Sequence, residues 1–135
     1  MTPPFVPTRR TSLLVQTGDG GEHLFFVLTD PYGDPPAVLM ANASSVPRKY
    51  VPYDKTCILD RKDHDFFDRP SYIAYSFAEI VPVQRIAQKV RTREMRVMGA
   101  ISEECCAQIC AGILTSLALP LKCKKFYKAA TSTAS

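Results

Sequence analysis

The chain has 135 residues, of which 46% are hydrophobic and 22% charged, and a net charge of +4. That length supports one domain with its own core, and the composition is that of a globular protein rather than a disordered or fibrous one. No apolar run approaches the ~20 residues of a membrane span, and Met1–Pro7 has no signal-peptide core, so a cytoplasmic protein with no membrane partner is expected.

The five cysteines, Cys57, Cys105, Cys106, Cys110 and Cys123, form no C-x-x-C pair, and neither histidine stands at a zinc-ligand spacing from them. Buried free thiols in a reducing compartment are expected, with no metal and no cofactor. The charge is unevenly placed. Residues 1–60 hold five basic and six acidic side chains, whereas residues 61–135 hold twelve and seven. The basic excess gathers in Arg85, Lys89, Arg91, Arg93 and Arg96, and again in Lys122, Lys124, Lys125 and Lys128, a distribution suited to a polyanion.

In chain order, residues 1–10 carry three prolines and read as a flexible arm. Thr11–Gln16 is the first expected strand, and the glycines of Thr17–Gly21 make a turn. The apolar run within His23–Thr29 predicts a central strand buried on both faces. Ala37–Ala43 is the third, followed by a polar loop to Pro52. Thr56–Leu59 and Ser71–Tyr75 are short β-prone runs that flank a charged loop of about ten residues, longer than a hairpin needs. Glu79–Val83 is the last strand, ending at Pro82. Short strands separated by turn signals predict a small closed or half-closed antiparallel barrel over residues 11–83.

Beyond it the period changes. Gln84–Val90 reads as a short helix. Ser102–Leu119 reads as a long one, with Ser102 as N-cap, Glu103 and Glu104 in the first turn, and a stripe of Cys106, Ile109, Cys110, Ile113, Leu114 and Leu117 on one face. The expected organisation is thus α+β, with a helical extension over residues 84–128 and a disordered tail over 129–135.

Candidate chemistry sits at strand ends and in the charged loop. His23 starts the most hydrophobic strand, and an imidazole can give or take a proton, so it is a candidate acid or base. Ser44 and Ser45 follow the third strand, where adjacent hydroxyls can hold a phosphate or cap the next turn. Asp63 and His64 are adjacent in the charged loop, where a carboxylate could orient the ring. Lys55 and Arg61 are potential phosphate donors.

Together, His23–Asp30, Val38–Ser45, Asp54–Leu59 with Asp63–Phe66, and Ser71–Ala78 resemble the PemK-like branch of the MazF/PemK toxin superfamily. Two patterns carry the likeness, D-x-T-C-I-L followed by D-H-x-F, and S-Y-x-x-Y-x-x-A; it covers roughly residues 11–83. The resemblance implies an SH3-like barrel, often dimeric, that cuts single-stranded RNA without a metal and is neutralised by an antitoxin protein. In such toxins an arginine and a hydroxyl pair serve the scissile phosphate; here those positions fall on His23 and on Ser44–Ser45. A histidine can donate to a phosphate or move a proton, but cannot make the bidentate arginine fork. The expected catalytic set is His23, His64 and Asp63, with Ser44, Ser45, Lys55 and Arg61 holding the phosphate, provided the two imidazoles converge. The alternative is a non-catalytic SH3-like module of phage or mobile-element origin that binds a host protein or nucleic acid.

Overall fold

The computed structural model describes residues 3–18 and 21–132. In chain order the elements are β1 (Thr11–Gln16), β2 (Glu22–Val27), β3 (Ala37–Ser45), β4 (Ile58–Leu59), β5 (Ser71–Ile73), a 3₁₀ turn (Tyr75–Phe77), β6 (Glu79–Pro82), α1 (Val83–Arg91), β7 (Met95–Ala100), α2 (Glu103–Thr115) and α3 (Leu121–Thr131). The fold is α+β, with seven antiparallel strands and three α-helices among the described residues.

β3 organises the sheet. Met40 pairs with Val27 of β2 on one edge and with Glu79 of β6 on the other, so β3 is flanked on both sides. Further along, Ala43–Ser45 pair with β5, which carries β4 in turn. The strand order is β4-β5-β3-β2-β1-β7, with β6 also on β3. This path is open: among the described residues no ladder joins β7 to β4 or β6, so the closed form of the expected barrel is not what the strands make.

Alternation along the strands builds a core on each side. Leu14, Leu24, Phe26, Leu39 and Ala41 face one way and meet Ile109, Cys110 and Ile113 of α2. Leu13, Val27, Val38 and Met40 face the other way and meet Ile86 of α1. β2 is central, as expected, but it is buried on both faces only toward Val27: on the α1 side His23 and Phe25 are half-buried. Helix α2 starts where predicted, with the Ser102 hydroxyl accepting from Cys105 N–H at 3.0 Å. It ends at Thr115, short of the expected Leu119, because Ser116 turns to extended backbone.

Three parts depart from expectation. Residues 84–128, expected to be helical, also contain β7, which pairs with β1. The tail expected to be disordered from 129 is helical through Thr131; residues 133–135 lie outside the described residues. In the N-terminal arm, Phe5 packs against the α1-side core and Arg10 N–H donates to Val27 O at 2.9 Å, so its later part is fastened to the sheet; residues 1 and 2 lie outside the described residues. The turn after β1 is described only through Gly18 and from Gly21. Among the described residues no helix is long and apolar enough to cross a membrane.

Candidate functional site

α1 covers only part of its face of the sheet. Beyond its reach, the strands continue and present polar and aromatic side chains. Phe25 pairs with Asn42, and directly opposite residues of antiparallel strands share a face, so the same alternation puts His23 and Ser44 on that face too. His23, Phe25, Asn42 and Ser44 line a groove of about 540 Å³ together with Thr17, Phe77, Ala78 and Glu79. Phe77, on the 3₁₀ turn, is 72% exposed, a large apolar surface left in water.

From Ser44 the same face runs on across the sheet. Ser44 pairs with Tyr72, and Tyr72 with Ile58. The Tyr72 ring lies 5.1 Å from that of Tyr53, over which the Lys55 ammonium sits at 5.4 Å. The Tyr53–Lys55 segment is clasped to the C-terminal end of α2. Asp54 accepts from Ser116 Oγ at 2.7 Å and from Thr56 N–H at 2.9 Å. Burial works against the Asp54 charge, but the bonds from Thr56 and Ser116 outweigh it and hold the carboxyl below its usual range. The loop before it, with Arg48, Lys49 and the fully exposed Tyr50, lines a further hollow of about 630 Å³. Together these set the Tyr53–Tyr72 ring pair and Lys55 beyond Ser44 on the same face, with Arg48 and Lys49 in the loop before them.

The predicted residues divide between two places. His23 and Ser44 share the groove, and Lys55 stands beyond Ser44 at the Tyr53–Tyr72 ring pair. Ser45 does not join Ser44: successive strand residues point to opposite faces, so the adjacent hydroxyls cannot serve one phosphate from β3. Arg61, Asp63 and His64 lie elsewhere, around a separate hollow of about 310 Å³ beside Met98, Ile101 and Ser102.

His64 reaches Ser12, whose pairing with Phe26 puts it on the α2 face of the sheet, opposite the face that carries His23. The two imidazoles therefore do not converge, and the two-histidine acid–base pair is corrected. His64 is also fully engaged. Its Nδ1 accepts from Phe66 N–H at 3.0 Å, which leaves the proton of the neutral ring on Nε2. That Nε2 lies 3.4 Å from Ser12 Oγ, which donates in turn to Gly99 O at 2.9 Å. Burial pushes the His64 pKa down, and nearby Asp65 opposes this without reversing it. Asp63 does not orient the ring: its Oδ2 accepts from Asp60 N–H at 3.0 Å and closes the turn. The charged loop is thus fastened to β1 and β7 by its own histidine.

The reading from sequence overlooked Phe25, Asn42, Phe77 and Glu79. Strand alternation carried a signal for two of them, since Asn42 lies two residues before Ser44 and Phe25 two after His23. Phe77 and Glu79 reach the groove because the 3₁₀ turn delivers β6 back onto β3, a tertiary event. All five cysteines are buried with free thiols. No protein-family model matches the chain, and no curated protein matches it.

Proposed function

We propose that the face from His23 to Lys55 binds single-stranded RNA, and that the protein is a PemK/MazF-like toxin acting as a metal-independent endoribonuclease on an SH3-like, half-closed sheet. The observation that carries this reading is the juxtaposition of His23 with Ser44, continued by the Tyr72–Tyr53–Lys55 stack. Base stacking on the half-buried Tyr72 and Tyr53 rings would tolerate any sequence, and flanking cations meet the backbone. The SH3-like reading draws support from β3, which pairs with β2 on one edge and with β5 and β6 on the other.

RNA cleavage without a metal needs a base for the 2′-hydroxyl, an acid for the leaving 5′-oxygen and donors for the phosphorane charge. In the groove, Glu79 takes the 2′-proton as the oxygen attacks phosphorus. His23, as imidazolium, gives its proton to the 5′-oxygen as that P–O bond breaks. Asn42 and Ser44 donate to the phosphoryl oxygens, and Lys55 holds a neighbouring phosphate. A cytoplasmic antitoxin protein covering this face, and a homodimer, belong to the same reading.

The second reading is a non-catalytic SH3-like module that binds RNA or a host protein on the same face. The withdrawal of His64 favours it, because one histidine remains in the groove where two were expected.

One experiment separates them. Mixed-sequence single-stranded RNA is incubated with the protein in EDTA, beside His23→Ala, Glu79→Gln, Tyr72→Ala and His64→Ala. The toxin reading expects cleavage that is lost in the first two and retained by folded His64→Ala. It also expects Tyr72→Ala to bind RNA about 5–150-fold more weakly, the ~1–3 kcal/mol of one stacked base. Binding without cleavage leaves the module; neither binding nor cleavage refutes both RNA readings.

A further inference from the structure

The two ends of the strand order differ. One end is β4, two residues long; the other is β7, with six residues, Met95–Ala100, paired among the described residues only to β1. An edge strand presents unpaired N–H and C=O groups, and proteins blunt such edges with brevity, proline, charge or a bulge. β7 is not short and contains no proline. Its charged side chain, Arg96, reaches back over β1 to Glu22 of β2 at 3.2 Å, so it does not guard the edge. Every residue after Met95 is exposed, including Val97 at 44% and Met98 at 40%. A register irregularity opposite Ser12 and Leu13 leaves Met98 outside the pairing with β1; the guard it offers is confined to that point, and Met95–Val97 pair regularly.

The flank of this edge is basic. Lys89 and Arg91 stand in the last turn of α1, which packs beside β7, and Arg93 lies in the connection between them. None of these three enters an ion pair among the described residues. Glu94 is the acid next to Arg93, and it accepts from the Thr92 hydroxyl at 2.9 Å. On the other side Arg61 and Lys62 stand with Asp63 and Asp65 around the hollow that Met98 lines, so the basic excess lies on the α1 side.

We propose that β7 is a docking edge for an extended acidic peptide, which adds as a strand beside Met95–Ala100 with its carboxylates toward Lys89, Arg91 and Arg93. Main-chain hydrogen bonds supply the affinity of such an addition, alternate side chains its specificity, and charge complementarity its rate and orientation. A second copy of this chain fits the edge poorly, because pairing β7 with itself sets the same cations against one another. A nucleic acid matches the charge but has no peptide N–H and C=O ladder to continue the sheet. The inference is independent of the RNA reading, which concerns a different surface.

The probe is a labelled synthetic peptide of alternating glutamate and valine, as long as β7, added to the full chain. Fluorescence anisotropy reads binding, and amide hydrogen exchange reads its location. The expected result is saturable binding with slowed exchange at Val97–Ala100. Methylating alternate peptide nitrogens, which keeps the charge and removes ladder hydrogen bonds, should weaken binding at least about tenfold, and so should Lys89→Glu with Arg91→Glu. The proposal is overturned if the methylated peptide binds equally well, if protection falls away from β7, or if no binding is seen. It is also overturned if the same amides become protected with rising protein concentration alone, which assigns the edge to a second copy. Protection of those amides by a single-stranded oligonucleotide but not by the peptide assigns it to nucleic acid.

Discussion

Replacing Gly112 by alanine tests how closely α2 sits on the sheet. Gly112 is buried in α2, and a Cβ built there would stand 1.9 Å from the Tyr75 hydroxyl oxygen and 2.5 Å from its ring Cζ. Tyr75 is fully buried, and its hydroxyl donates to Ile109 O at 2.6 Å, so the ring has little room to yield. In an open helix the change would gain about 1 kcal/mol of propensity. Here overpacking costs about 1–3 kcal/mol, and displacing the hydroxyl from its carbonyl about 1–3 more. The net expectation is a loss of about 3 kcal/mol. With a urea m-value of about 2 kcal/mol/M, the unfolding midpoint drops by about 1.5 M. Tyr75→Phe removes the closest atom of the clash, so Gly112→Ala in that background should cost less than in the wild type, a coupling a double-mutant cycle measures. A neutral or stabilising Gly112→Ala would refute the reasoning, since the helix would then stand farther from Tyr75 than the structure places it.

Two further expectations follow from the clasps that hold the loops. Because burial depresses the His64 pKa, the unfolded chain binds more protons than the folded one as the pH falls. The stability this contributes is fully present above the ordinary value of 6.5 and is lost as the pH drops through the folded value. Urea midpoints should therefore fall from pH 7.5 downward more steeply in the wild type than in His64→Gln, and equal slopes would remove the linkage. Ser116→Ala deletes the 2.7 Å bond to Asp54 and should cost about 1 kcal/mol at pH 7. Asp54 has its pKa lowered, so its contribution is present above the unfolded carboxyl pKa and is lost as the pH falls through the folded one. The variant should lose less than the wild type on acidification below about pH 4, and it should bind RNA more weakly because Tyr53 and Lys55 are no longer held; unchanged acid stability and unchanged binding would show that the clasp does neither.

Local pattern alone determined much of this chain. Thr11–Gln16, the apolar run of β2 and the Ser102-capped helix were readable because each is decided by alternation, hydrophobicity or a cap within a few residues. β7 was not, because only Met95 among its residues is buried; it is a strand because β1 offers an edge, not because its own side chains demand one. The site divided in the same way. His23 and Ser44 were legible as strand-end residues, and the register confirmed that they share a face. The distance between the two histidines was invisible in sequence. It depends on which face of β1 the charged loop folds over, and that is settled by the contact of His64 with Ser12, residues far apart in the chain. Side-chain chemistry and local period belong to the sequence; the company each side chain keeps is decided when non-local strands choose their register and their faces.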